Sequence, residues 1–414
     1  MTAEVITYNK NAIAMAADSA VTVYGSKTYN SANKLFMLSK YHPVGILIYN
    51  SASINGIYTE ILVKEYRKQL GKKSFDSLKE YKDNFILFLR DFLQTHISDE
   101  DKKFSIIIQL NNLFDYVFNR SDFPQINPGE NFFNVANKFL EGLTTTIKQT
   151  YNIEKELDLS GIDLAQEIKN IFLYRMKLPD SEELNGLVSK LIDIFAYYIN
   201  IPYNPNITGI AICGYGEKEF APKIYNFETL GFINNTFKVK DIGDNESQDQ
   251  GVIPLAQRDM TDLFIQGVDY RVYSFITEQY EAFIEGIADK IKKADVDLSR
   301  YIGANKYVIS KRINEVLNKE KVKPLLDVIG ILSKDELAEL SESLVNLQAL
   351  KHKMSLNLET VGGPVDVAII SKHDGFIWKK RKLYFDKELN PHFFENYFSE
   401  ESICGILKNK EGGK

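Results

Sequence analysis

Three polar residues at equal spacing carry the chemistry that this chain can be read for: Thr2, Asp18 and Lys34, sixteen positions apart. Thr2 follows the initiator Met, and its small side chain suits removal of that Met. The residue then exposed would carry a hydroxyl and a free α-amine together. A threonine hydroxyl is a weak nucleophile that needs a base, and its own terminal amine can serve as one. An unperturbed α-amine has a pKa of about 7.7–8.0, so a useful fraction is neutral near pH 7. A buried Lys34 would depress the hydroxyl and amine pKa values and favour an alkoxide-like transition state. Asp18 would pair with Lys34, since a buried lysine without a partner is costly. The plainer alternatives stay open: Asp-Ser is a common turn at a strand end, and a Lys opening a strand is commonly a solvated charge.

These residues need strands to hold them. Val5 to Tyr8 and Ala12 to Ala17 read as two strands joined at the polar turn Asn9-Lys10-Asn11. The second is nearly all small and apolar, as in a strand buried on both faces. Lys34 to Ser39 and Val44 to Asn50 form another pair. From Ile54 the apolar spacing turns helical and ends at Gly71. Residues 72 to 200 read as a mostly helical insertion whose last helix rejoins the core, with amphipathic helices around Phe85 to Leu93 and over Leu187 to Tyr198. Ile207 to Cys213 and Pro222 to Phe227 read as a hairpin, extended by Thr236 to Val239. Lys240 to Gln250 reads as a polar loop and the stretch from Leu255 to Leu350 as helical, with N-cap character at Ser333. Val365 to Ser371 and Phe376 to Tyr384 close with two strands, and 388–414 form a tail.

The stretches Ala14-Met15-Ala16-Ala17-Asp18-Ser19, Asn33-Lys34-Leu35-Phe36 and Asn50-Ser51-Ala52-Ser53, with Gly362-Gly363-Pro364-Val365-Asp366 near the end, carry a resemblance. They resemble proteasome β-type subunits and their bacterial peptidase relatives among the N-terminal nucleophile hydrolases, over residues 2–70 most fully. The resemblance implies an α+β fold, a four-layer αββα sandwich. It divides the chain into a core of 1–71 and 201–387, the insertion at 72–200 and the tail. It implies a threonine-nucleophile amide or peptide hydrolase with Thr2, Asp18 and Lys34 as catalytic residues. Asn50 and Ser51 would bind substrate and supply an oxyanion-hole amide. It also implies a peptide or protein substrate, a homo-oligomer, an ATP-dependent unfoldase as partner, and no cofactor or metal. Two departures stand out. Asn50 occupies a place usually taken by Gly. Leu358 and Val361 stand where the family commonly has an Asp and a Ser that orient the threonine, with Glu359 and Thr360 close by. A non-catalytic scaffold of the same fold and a small-molecule amidase are therefore the alternative readings.

Bulk properties fit. With 44% apolar and 26% charged residues the chain has the composition of a soluble globular protein. A net charge of −6 lacks the basic excess of a general nucleic-acid binder. Two distant cysteines, Cys213 and Cys404, suggest no disulfide framework and a reducing, cytoplasmic setting. No apolar run approaches the ~20 residues of a membrane span. The five histidines, His42, His96, His352, His373 and His392, show no metal spacing. Gly214-Tyr215-Gly216 reads as a turn, and the run Lys379-Lys380-Arg381-Lys382 as protection of a sheet edge or a docking patch.

Overall fold

Strand β2, Ile13–Ala17, sets the layering because both its faces are apolar. Ile13, Met15 and Ala17 pack into one cluster and Ala12, Ala14 and Ala16 into another. A strand with two buried faces must lie inside a sheet covered on both sides. The computed structural model describes residues 3–23, 27–127, 129–150, 157–199, 204–246, 248–292, 308–355 and 361–398. Thr2, Ser26, Ser247, Leu358, Glu359, Thr360 and the segment from 399 on, with Cys404, lie outside the described residues.

Strand β1, Ala3–Tyr8, pairs antiparallel with β2. Two small hairpins, β3 (Val21–Val23) with β4 (Lys27–Tyr29) and β7 (Ser53–Ile54) with β8 (Ile57–Tyr58), flank β5 (Leu35–Met37) and β6 (Val44–Asn50). Helices α1 (Thr59–Leu70), α2 (Leu78–His96), α3 (Asp99–Phe118), α4 (Phe132–Thr150), α5 (Leu164–Met176) and α6 (Glu182–Tyr198) follow. Then come β9 (Thr208–Gly214), β10 (Lys223–Ile233), β11 (Thr236–Asp244) and β12 (Gly251–Ala256). Helices α7 (Asp259–Gln266), α8 (Tyr270–Lys292), α9 (Val308–Leu317), α10 (Lys323–Ile331) and α11 (Lys334–Lys353) lead to β13 (Asp366–Ser371), β14 (Gly375–Lys380) and α12 (Pro391–Phe398). The described chain is thus mixed α and β with antiparallel sheets.

Two five-stranded sheets form, in the orders β12-β1-β2-β13-β14 and β11-β10-β9-β6-β5. Ile6, Met15 and Ile370 of the first share a cluster with Leu47, Ala211 and Cys213 of the second. The outer face of the first sheet, rich in alanine, takes Leu337, Leu344 and Val345 of α11. Its small side chains let the helix approach closely. The outer face of the second, with Ile46, Ile48, Ile210 and Ile212, takes α1 and α2. Helices α3 to α6 close their own cluster around Leu110, Leu140, Phe172 and Leu191. Packing therefore divides the expected insertion: the apolar side of α2 belongs to the second sheet, while α3 to α6 form a separate core.

Buried polar groups fix how α11 lies on β1. The Thr7 hydroxyl donates to the Leu337 carbonyl at 2.9 Å and lies 2.7 Å from the Ser341 hydroxyl. The Asn9 amide donates to the carbonyls of Ile329 and Leu332 at 3.0 and 2.9 Å. Helix numbers rise as strand numbers fall, so α11 runs from the far end of β1 back toward its start. Ser333 caps α11 in a reciprocal box with Glu336.

Two departures from the sequence reading matter. The first five residues of the stretch read as polar loop are strand: β11 continues to Asp244 as a sheet edge, and its continuous exposure from Val239 on left no alternation to mark it. Strand β12, left unassigned up to Pro254 and read as helical from Leu255, pairs with the whole of β1, Ala3 opposite Ala256 and Tyr8 opposite Gly251. Its Pro254 and short length weakened the strand signal. Along the basic run on edge strand β14, Lys379 pairs with Asp335, Lys380 with Glu342, and Lys382 with Asp366, while Arg381 lies 4.8 Å over the Trp378 ring.

Gly209 pairs across from Tyr49, whose ring lies over it; a Cβ there would meet the ring at 2.0 Å. The Tyr49 hydroxyl donates to Asn226 at 2.8 Å, so the ring cannot swing away freely. Gly209→Ala is expected to destabilise the protein by about 1–3 kcal/mol through overpacking, read as a lower urea midpoint.

Candidate active site

Asp18 is the first residue beyond β2, and backbone bonds hold it there. Its N–H donates to the Ala3 carbonyl at 3.1 Å, extending the β1–β2 ladder. Its carboxylate then accepts from the Ala3 N–H at 3.2 Å through Oδ1 and from the Gly362 N–H at 2.9 Å through Oδ2. Ser19 tightens the same junction: its N–H donates to the Gly362 carbonyl at 3.1 Å and its hydroxyl to the Pro364 carbonyl. Gly363, at φ 77°, lies where a Cβ would come 2.8 Å from Asn30. The glycine pair therefore wraps the Asp18-Ser19 corner closely and delivers an amide to the carboxylate.

Lys34 immediately precedes β5 and is 5% exposed. Its Nζ donates to Asp18 Oδ1 and lies 3.3 Å from Glu4 Oε1. Glu4 and Asp18 are both fully buried. The cation thus sits between two carboxylates, one from β1 and one from the residue that follows its neighbour β2. Sequence reasoning missed Glu4. Its signal was parity: Glu4 shares a face of β1 with Ile6 and Tyr8, which point between the sheets. Thr2, the expected nucleophile, is bonded to Ala3 but lies outside the described residues.

Asn50 and Ser51 differ in what their amides can do. Hydrogen-bonded and unbonded positions alternate along an antiparallel pair. The Ser51 N–H donates to the Ile207 carbonyl at 3.1 Å, so that amide is engaged in the sheet. Asn50, opposite Thr208, takes the alternate position. Its N–H turns toward the edge where the Ile48 N–H donates to the Lys34 carbonyl at 2.8 Å. Asn50 has φ 63°, and Asn is among the few residues that enter this left-handed region readily. The departure from Gly therefore keeps the backbone shape. The Ser51 hydroxyl is taken up locally, donating to the Ser53 carbonyl at 2.9 Å.

Lys34, Asn50, Val21, Tyr49, Ala52 and Thr59 line a shallow open hollow. Asn33, whose amide donates to Glu60 at 3.2 Å, also lines a roomier neighbouring hollow bordered by Trp378, Arg381 and Arg67. Burial, then the charge of Glu228, pushes the Tyr49 hydroxyl far above its usual range, against the bond to Asn226 and with Glu4 adding to the rise. Tyr49 is thus a donor fixed in its neutral form. Cys213 is buried between the sheets, and burial raises its thiol far up, which leaves it inert as a nucleophile.

Among the described residues no group of three His, Cys, Asp or Glu side chains could hold a metal ion, and no helix is long and apolar enough to cross a membrane. Val361, read as standing in place of an orienting polar residue, is buried in the apolar cluster under α11.

No protein-family model matches the sequence, and no curated protein matches it. Among solved structures, a Gly-1 mutant of Anbu from Hyphomicrobium sp. strain MC1 aligns over 100% of this chain and 98% of its own, at 8% identity and a TM-score of 0.30. A second Anbu structure from the same organism covers the same shares at 9% identity and a TM-score of 0.28. A likeness this slight carries no argument about the site.

Removing the cation would leave two carboxylates buried together. Lys34→Met is expected to destabilise the fold by about 3–5 kcal/mol, measured by chemical denaturation. The same change at Lys10, whose pair with Asp249 is exposed on both sides, should leave the midpoint in place.

Proposed function

We propose that this chain is a threonine-nucleophile amide or peptide hydrolase, acting through Thr2 once Met1 is removed. One observation carries the reading. A buried lysine is clamped by Asp18, and the same carboxylate bonds the Ala3 amide, one residue from Thr2. The nearest described side chain of β1, Glu4, reaches the same lysine, 3.3 Å from its Nζ. The two facing sheets, with α11 outside one and α1 and α2 outside the other, support a four-layer αββα core made of 3–97 and 204–398. Helices α3 to α6 are then the insertion.

In this mechanism the neutral Thr2 amine takes the hydroxyl proton as Oγ attacks the substrate carbonyl. The Lys34 cation stabilises the developing negative charge at Oγ. The carbonyl oxygen, now an oxyanion, accepts from the Asn50 N–H. As the carbon–nitrogen bond breaks, the amine returns its proton to the leaving nitrogen, leaving an ester on Thr2. Water, deprotonated by the same amine, hydrolyses that ester. The surface beside Lys34 is shallow and continues past Asn33 to the second hollow, which suits an extended peptide better than a small amide. A homo-oligomer, an ATP-driven unfoldase partner and a cytoplasmic setting follow from the resemblance.

The scaffold reading has one observation in its favour: Val361 places an apolar side chain where the resembled enzymes have an orienting hydroxyl. Labelling separates the two. A β-lactone probe is expected to add its mass to the N-terminal tryptic peptide of protein lacking Met1. Thr2→Ala should abolish that adduct and peptide cleavage with it. An unlabelled Thr2 in correctly processed protein would sink the hydrolase.

A further inference from the structure

The last turn of α11 brings an unassigned imidazole to the start of β1. From the Thr7–Ser341 contact, eleven residues along α11 advance about 16 Å to His352. Four residues back along β1 cover about 13 Å to Ala3. His352 therefore comes level with Ala3, the first described residue of β1. The register is independently held from β12: Ala256 pairs with Ala3, and Asp259, three residues on, binds both Gln348 and Lys351. His352 Nδ1 is shut off from solvent and has no hydrogen-bond partner among the described residues. A buried polar atom without a partner calls for one.

We infer that His352 is a positioning residue for the Thr2 amine, its Nδ1 accepting a hydrogen bond from an amine N–H so that the nitrogen lone pair faces the Thr2 hydroxyl. The inference rests on the hydrolase reading above and supplies what that reading lacks, an orienting group in place of Leu358 and Val361. The imidazole acts as its neutral Nε2–H tautomer. A neutral acceptor orients the amine without stabilising its ammonium form, as a carboxylate would. Burial, first, favours that neutral form; the cations of Lys351 and the chain's amino terminus add to it, while Asp259 and Asp18 oppose. Those are the charges that face the ring from α11, α7, β1 and the end of β2.

The sign of the pH effect follows. Acid protonates both amine and imidazole, and each protonation removes function. Below both pKa values, the rate of β-lactone labelling at Thr2 should fall with the second power of proton concentration in the wild type. In His352→Gln, which keeps a neutral acceptor, it should fall with the first power. His352→Ala should slow labelling at least tenfold at neutral pH, with His352→Gln recovering most of the loss. Labelling of His352→Ala at the wild-type rate and pH profile would overturn the inference. A second readout stands apart from reactivity. The His352 ring signal, identified by its loss in His352→Gln, is titrated by NMR in protein lacking Met1 and in Thr2→Leu, whose bulky residue keeps Met1. A shift in the ring pKa of at least ~0.5 between the two is expected; identical titrations overturn the inference. If wild-type Thr2 is not labelled at all, the hydrolase reading fails, and the titration alone decides whether His352 engages the amine.

Discussion

A single buried ammonium organises this molecule. Lys34 Nζ lies between Glu4 of β1 and Asp18 at the end of β2, in the space where the two sheets meet. A lone charge there would cost several kcal/mol, and two carboxylates offset that cost only while all three groups keep their geometry. The backbone enforces it. Asp18 is fixed by the Ala3 and Gly362 amides, and Lys34 by the pairing of its carbonyl with Ile48. Three segments near the start of the chain and one hundreds of residues later therefore converge on one ion group. The start of β1 cannot shift without disturbing β2, β5 and the approach to β13.

The same convergence gives the site its division of labour. The first sheet contributes the two carboxylates, the segment before β5 contributes the cation, and the end of β6 contributes an amide whose edge faces it. Alternation along the β6–β9 pair decides which amide is available: Ser51 is bonded to Ile207, which leaves Asn50. Helix α11 adds a third side. Its attachment to β1 through Thr7 and Ser341 is polar and directional, and near its last turn Gln348 and Lys351 both bind Asp259.

Much of this was legible in the residues, and the rest was hidden for identifiable reasons. Asp18 and Lys34 could be found because local patterns, an apolar strand ending in Asp-Ser and a Lys before Leu-Phe-Met, lie close together in sequence. Strand β6 was read over the very residues it occupies, since a run of large aliphatic residues bounded by Pro43 and Asn50 has few other uses. Glu4 was hidden because one carboxylate in an apolar strand looks like a solvated face until parity is followed. His352 and β12 were hidden for a different reason. Their places depend on contacts with β1 hundreds of residues earlier, which no local window contains. Helix α2 showed its amphipathic face, but the sheet that the face meets comes from β9 and β10, more than a hundred residues later.

That long-range pairing sets the order in which the molecule can be built. Strands β1 and β2 leave the ribosome first, yet their outer partners are β12 and β13. Sheets closed by distant segments form slowly, because the loop must close before its contacts repay the lost chain entropy. During synthesis the apolar β2, buried on both faces in the finished protein, has only β1 and local turns to cover it. Helices α3 to α6 have no such wait, since their core is drawn almost wholly from residues 106–199. The nascent chain thus carries a folded helical unit in its middle while its first strands remain open at both edges. Those edges are a surface that nascent-chain chaperones are suited to guard until residue 371 has emerged.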